Sequence, residues 1–147
     1  MLNKKGFSLL EVVIAMLLLT IVWLASVGVI FISKATASHA KHKVQAIYVI
    51  QQIIEDMRKQ PFGSLRSYAS TKYNGHTVSI DTRGTPNNTA DDLMATPTVT
   101  VPSSPTDPGG YYTQVLVSLT WTESLLGKSK QVTESFGTYI ANDSQAN

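Results

Sequence analysis

Cysteine is absent from the 147-residue sequence, which also has no strong excess of charge of either sign. Without cysteine the chain can form neither a disulfide framework nor a thiolate metal site. Export is not excluded, because oxidising compartments permit disulfides without requiring them. Twelve Lys and Arg against ten Asp and Glu give a net charge of +2, so the strong positive field of a dedicated nucleic-acid-binding protein is missing.

Ionisable side chains are also missing from residues 7–33, where Glu11 is the one exception. As a helix this apolar run would extend about 40 Å, which exceeds the hydrocarbon core of a bilayer at about 30 Å. It is also longer than the apolar region of a cleaved secretory signal, which has roughly 7–15 residues. We therefore expect residues 7–33 to form a membrane-spanning helix.

Basic residues lie at both ends of this run. Lys4 and Lys5 favour a cytoplasmic N-terminus, whereas Lys34, Lys41 and Lys43 favour the opposite orientation. Because Lys4 and Lys5 lie immediately beside the span and the downstream part has the composition of an exported head, we expect the N-terminus to be inside.

Glu11 has two interpretations from the residues alone. A carboxylate at the centre of a membrane helix costs about 2.5–3.5 kcal/mol, but Glu11 lies only about 6 Å beyond Phe7 along a helix and so lies near the interface. It could be an interfacial acid, favoured by about 0.3–1 kcal/mol at the helix N-terminus. It could instead meet a cationic partner inside an assembly, and the residues leave both interpretations open.

The sequence KKGFSLLEV at residues 4–12, followed by the long apolar run, resembles the class III signal of type IV prepilins and type II secretion pseudopilins. In that family a membrane peptidase cuts after the glycine and methylates the new N-terminus. The resemblance implies that Gly6 ends the leader and that Phe7 becomes the methylated N-terminus. It also implies that Glu11 pairs with the terminal amine of Phe7 in a neighbouring subunit. No catalytic residue, metal or cofactor is implied.

The same resemblance implies partners and a location. The partners are the prepilin peptidase and methyltransferase, an inner-membrane assembly platform, and other major and minor pilin subunits, while nucleic acid is not expected. The chain would be a single-pass protein of the bacterial inner membrane with an exported head. After assembly it would belong to a pilus or to a periplasmic or cell-surface filament.

The rest of the chain predicts a second helical segment and a head. We assign residues 1–6 to the leader, 7–33 to the membrane and filament-core helix, 34–60 to its amphipathic second half and 61–147 to a β-rich head. Pro61 and Gly63 end the helical pattern. Gly28, within the first half, either lets the helix bend or packs closely against another helix. Apolar residues at helical spacing form one stripe: Val44, Ile47, Tyr48, Ile50, Ile53, Ile54 and Met57.

Alternating apolar residues predict strands in the head. The clearest strand covers residues 111–122, and a turn at Gly127 and Lys128 leads to a return strand at 130–140. Shorter β-prone runs lie at 76–81 and 98–101. The apolar face of this antiparallel hairpin should lie on the helix stripe, which gives an α+β fold: a long N-terminal helix whose second half packs on a small antiparallel sheet. The apolar positions of the clearest strand are Tyr111, Val115, Val117, Leu119 and Trp121.

Residues 83–110 are rich in Thr, Pro, Asn, Asp and Gly, and we expect a solvated loop without a core element. Its oxygen-bearing side chains could bind calcium, but their spacing does not fit an EF-hand. His39 and His42 could share a metal, but without a third ligand nearby we expect a solvated juxtamembrane face. The oxygen-bearing residues are Asp81, Asn87, Asn88, Asp91 and Asp92.

Residues 117–142 are similar to the C-terminal hairpin of V-type minor pilins, through the Trp121-Thr122 step, the Gly127-Lys128 turn and the ending Tyr139-Ile140-Ala141. The resemblance implies a minor type IV pilin, with a pseudopilin of a type II secretion system as the alternative. We do not expect an enzyme, because Ser70 and His76 have no recognisable nucleophile context. Lys128 and Lys130 are interpreted as a solvated turn rather than a DNA-binding cluster.

Overall fold

The computed structural model describes residues 8–84, 88–125 and 128–142. Its elements are helix α1 (Leu9–Arg58), helix α2 (Leu65–Lys72) and the strands β1 (Val78–Asp81), β2 (Leu93–Thr100), β3 (Tyr112–Leu125) and β4 (Lys128–Ala141). Short 3-10 turns precede α2 and β2. The chain divides into two compact units, residues 1–38 and 39–147, and α1 contributes to both.

The first unit consists, in its described part, of the apolar end of α1. The helix begins with the amides of Glu11 and Val12 bonded to the carbonyl of Ser8. Thr20, Ser26 and Thr36 donate their hydroxyl hydrogens to backbone carbonyls three or four residues earlier, so these polar groups are satisfied within the helix.

Large apolar side chains along the first half of α1 are exposed within the single chain. Among the described residues, α1 is the helix with the length and apolar composition needed to cross a membrane. It remains helical through Gly28, where an added Cβ would meet nothing within 4 Å.

The second unit is built on one narrow stripe of α1. Its buried residues are Ala46, Ile50, Ile53, Ile54 and Met57, which share a core with the apolar residues of α2 and the sheet. The prediction that Val44, Ile47 and Tyr48 belong to the buried stripe is wrong, because these side chains are 51%, 44% and 62% exposed. At 3.6 residues per turn, Ile47 lies next to the buried stripe, and Val44 and Tyr48 lie farther around the helix on the same side of it.

The sheet is antiparallel throughout, in the order β1-β2-β3-β4. The predicted hairpin is confirmed as β3 and β4, and Val115, Val117, Leu119 and Trp121 are buried on one face of β3. Tyr111 was predicted to join them but precedes β3 and is 60% exposed. The predicted α+β architecture, a long N-terminal helix followed by a small antiparallel sheet, is confirmed.

The expectation that residues 83–110 contain no core element is wrong. β2 lies within that range, between β1 and β3, and its residues Leu93, Ala95 and Val99 are buried. The alternation of these apolar residues with Met94 and threonines was obscured by the surrounding Pro, Asp and Asn. The helix α2 was also not predicted, and it buries Leu65 and Ala69 in the core.

Candidate functional site

The predicted processing and assembly site lies at the N-terminal end of α1. Gly6 and Phe7, assigned to cleavage and methylation, lie outside the described residues. Glu11 is an exposed acidic residue in the first turn of α1. That position favours a carboxylate, because the amides at a helix N-terminus carry partial positive charge. Pairing of Glu11 with the amine of a second subunit remains a prediction.

A second set of polar residues joins α1 to the sheet within the unit of residues 39–147. It is defined by His39, Lys41 and His42 of α1, Asp81 of β1, and Glu123 of β3, and we call it the polar clasp. The two carboxylates are almost fully buried, at 7% and 5% side-chain exposure. Buried carboxylates of this kind need partners, because an unpaired charge in the interior is costly.

Glu123 accepts hydrogen bonds from three ring nitrogens. His39 Nδ1 contacts Oε2, while His42 Nδ1 lies 2.9 Å and Trp121 Nε1 2.8 Å from Oε1. Burial by itself raises the pKa of Glu123, but the hydrogen bonds from Trp121, His39 and His42 outweigh it and hold the pKa below its usual value. The carboxylate therefore stays ionised and ties α1 to β3.

Asp81 forms the other half of the polar clasp. Lys41 Nζ donates to Oδ2 at 2.8 Å, His42 Nε2 lies 3.4 Å from the same oxygen, and the amide of Arg83 donates to Oδ1 at 2.9 Å. The bond from Lys41 lowers the pKa of Asp81 most; burial opposes it, and the amide of Arg83 adds to it. His42 thus lies between two carboxylates, one on β1 and one on β3.

This arrangement corrects the prediction for the histidines. They were expected on a solvated face, but their side chains are only 27% and 15% exposed and both contact Glu123. Within residues 8–84, 88–125 and 128–142, no three His, Cys, Asp or Glu side chains form a group that could hold a metal ion. Sequence reasoning missed Glu123, although its odd-numbered position continues the inward pattern of Val117, Leu119 and Trp121.

The residues considered for calcium have different surroundings. Asp81 belongs to the polar clasp, and the side chain of Asn88 accepts a hydrogen bond from the amide of Ala90 at 3.2 Å, capping a 3-10 turn. Asn87 lies outside the described residues. The oxygens of Asp81 and Asn88 are thus used in local structure.

Asp56 connects α1 to α2. Its Oδ2 accepts from Lys72 Nζ at 2.7 Å, Tyr73 Oη at 2.5 Å and Tyr68 Oη at 2.7 Å. These donors, Lys72 first, hold the pKa of Asp56 well below its usual range. Burial, followed by the bond to Asp56, raises the pKa of Tyr73. The contact fixes the short helix against the longer one.

Comparison with known families concerns the N-terminal segment. Residues 1–27 match the family model described as the prokaryotic N-terminal methylation motif, and this range includes Gly6, Phe7 and Glu11. Searches of curated proteins and of solved structures found no match. The chain therefore carries the N-terminal methylation motif typical of type IV pilins and pseudopilins, on an α+β pilin-like architecture.

Proposed function

We propose that this chain is a minor type IV pilin, a structural subunit that is processed by the prepilin peptidase and joins or primes a type IV pilus. The observation that carries the proposal is the methylation motif on an exposed apolar helix, followed by a folded head. Such a helix needs an apolar environment, first lipid and then the helices of neighbouring subunits.

The steps of processing and assembly are those that the resemblance to prepilins implies. Cleavage after Gly6 removes Lys4 and Lys5 but leaves the apolar run intact. It creates a cationic amine at Phe7, which is then methylated. In the filament this amine meets Glu11 of a neighbour, and the charge-assisted pair offsets the cost of a carboxylate in an apolar setting. Burying α1 among other helices replaces lipid contacts with helix contacts.

The choice of a minor subunit rests on the resemblance of residues 117–142 to V-type minor pilins. These residues include most of the β3–β4 hairpin. The alternative is a pseudopilin of a type II secretion system, which the methylation motif supports equally. Deletion of the gene distinguishes the two: loss of surface pili supports the pilin, and loss of exoprotein secretion with normal pili supports the pseudopilin.

We propose a structural role without catalytic turnover. The polar groups of the polar clasp contact one another, and the clasp ties α1 to the sheet. An enzymatic role would require substrate turnover by the purified full chain that is lost on substitution of named residues.

Processing is tested by the intact mass of the protein isolated from native envelopes. We expect loss of the first six residues and the gain of one methyl group. Glu11→Gln should be processed normally but enter filaments at least about tenfold less, since a charge-assisted bond is worth about 1.5–3 kcal/mol. Glu55→Gln, at an exposed position of α1, is the matched control. A mature protein that still begins at Met1 would contradict the proposal, whereas normal incorporation of Glu11→Gln would favour the interfacial-acid interpretation.

A further inference from the structure

The sheet has an outward face that differs from the rest of the surface. Burial alternates along β2, so Met94, Thr96, Thr98 and Thr100 point away from the core. Directly paired residues of neighbouring strands share a face. By the pairing of the strands, the face of β2 that points away from the core continues onto the even-numbered residues 112–124 of β3 and the odd-numbered residues 129–141 of β4. We call these positions of the three strands the outer face.

No position of the outer face, as defined on these described strands, carries a charged side chain. On β4 the charged side chains are confined to the opposite face. Lys128, Lys130 and Glu134 occupy even-numbered positions, whereas the odd-numbered positions of the outer face are uncharged. Protein surfaces designed for solubility carry charge at about a quarter or more of their positions. The lack of charge on this face suits a neutral partner.

Hydroxyl groups on the outer face are held in fixed positions by one another. Thr120 Oγ1 lies 3.0 Å from Thr133 Oγ1, and Ser135 Oγ donates to Ser118 Oγ at 2.9 Å. Each hydroxyl can donate one hydrogen bond and accept others. Because these groups are already ordered, a ligand that binds them loses less entropy in ordering side chains.

A shallow hollow of about 530 Å³ lies at one end of the outer face. Its volume falls in the range of about 300–1,000 Å³ that is usual for small-molecule sites. The threonine hydroxyls and the side-chain amide of Gln131 that line the hollow can form hydrogen bonds with neutral polar groups, and Met94 offers an apolar contact. The outer-face residues that line the hollow are Met94, Thr96, Thr98, Thr120, Thr122 and Gln131.

Exposed aromatic rings lie toward the other end of the β3–β4 hairpin. Tyr112 and Tyr139 are 42% and 59% exposed, and their ring centres are 5.4 Å apart in an edge-to-face arrangement. Leu116, 40% exposed, lies beside Gly137. Tyr139 pairs with Gln114, whereas the hollow extends along β3 from Ser118, the partner of Thr98, to Thr122. At about 3.4 Å per residue, the tyrosine therefore lies about 14–27 Å from the hollow along β3.

We propose that the outer face binds an uncharged carbohydrate chain. Sugar hydroxyls would bond to the threonine, serine and glutamine side chains, and the apolar C–H faces of the sugar rings would pack on Tyr112 and Tyr139. A nucleic acid or an acidic polysaccharide fits poorly, because the face offers no cation for phosphate or carboxylate. The separation of hollow and tyrosines favours an extended chain over a single sugar.

The test uses the full chain in lipid nanodiscs, without sugar-based detergents, on an array of neutral and acidic hexasaccharides. We expect at least one neutral glucose, mannose, galactose or N-acetylglucosamine hexamer to bind at least tenfold more tightly than hyaluronan hexasaccharide. Tyr139→Ala, at the aromatic end of the face, and Thr98→Glu, in the lining of the hollow, should each weaken binding about tenfold. The matched control is Tyr48→Ala, since Tyr48 lies on α1 and is 62% exposed, and it should bind as the native chain does.

Circular dichroism of each variant checks that the fold is retained. The proposal is overturned if no neutral hexamer binds at millimolar concentration, if hyaluronan binds as tightly, or if both face variants bind normally. Self-association of the chain that Thr98→Glu abolishes, without any sugar binding, would assign the face to contact with a second copy and would also overturn it.

Discussion

At the scale of single residues, the carboxylate of Glu123 receives hydrogen bonds from two different elements. His39 and His42 approach from α1, while Trp121 approaches from the same strand. Removing an acceptor of this kind leaves buried donors without a partner, and that loss dominates the cost of the substitution. The loss of stability on substituting such a carboxylate should therefore depend on its burial rather than on its charge alone.

Glu123→Ala should lower the free energy of unfolding by about 3 kcal/mol, since breaking a buried ionic group typically costs this much. Glu134→Ala is the control, because Glu134 pairs with Lys43 at a more exposed position and should cost less than about 1 kcal/mol. Urea denaturation of the full chain in nanodiscs, followed by circular dichroism, measures both. Equal costs for the two variants would mean that Glu123 does not hold α1 to the sheet.

At the scale of elements, α1 shows why a periodic pattern predicts a helix better than it predicts the buried face. Ile47 and Ile50 both fit the apolar stripe, but Ile47 is 44% and Ile50 1% exposed. The spacing of apolar residues does not show how wide the part of the helix surface that contacts the sheet is. The helix was therefore predictable, whereas the limits of its buried face depended on packing.

Local sequence pattern also failed to predict strand β2. Pro97 argues against a central strand, because proline cannot donate a ladder hydrogen bond. β1 pairs with β2 only as far as Ala95, so the proline lies beyond the end of β1. Farther along that edge, the side chain of Asn74 bonds to both the amide and the carbonyl of Val99, at 2.7 and 3.0 Å. A side chain thus replaces part of a strand, which no local pattern could reveal.

The polar clasp was the least predictable part of the candidate site. His39 and His42 were identified as a pair, but their partner Glu123 lies more than eighty residues away along the chain. The processing motif, by contrast, is contiguous over residues 4–12 and needs no tertiary information. The short motif and the clear alternation of β3 could be predicted here, whereas individual polar contacts between distant elements could not.

Ile50→Ala tests the packing of α1 on the sheet. It should lower the free energy of unfolding by about 2–5 kcal/mol, because it leaves a cavity in the core. Ile47→Ala changes the same residue type one turn earlier, at a half-exposed position, and should cost about 1 kcal/mol or less. Fluorescence of Trp121, which is 2% exposed, reports unfolding in a Trp23→Phe background. Similar costs at both positions would contradict the narrow buried stripe.

At the scale of the whole molecule, three carboxylates link the helices and the sheet: Asp56 joins α2 to α1, and Asp81 and Glu123 join α1 to the sheet. The pKa of each lies below its usual value in the folded chain. In the unfolded chain the pKa is about 3.9 for an Asp and about 4.3 for a Glu. The unfolded state therefore binds protons first as the pH falls.

It follows that acid should destabilise the fold. A carboxylate whose pKa is lowered by folding adds stability that is fully present above its unfolded pKa and is lost as the pH falls toward its folded pKa. We expect these groups to contribute fully at pH 7 and progressively less from about pH 5 downward. Urea midpoints of the full chain in nanodiscs between pH 7 and 3 measure this, and Asp56→Asn should reduce the slope because one linked proton is removed. Stability that stayed constant down to pH 3 would mean that the carboxylates do not hold the elements together.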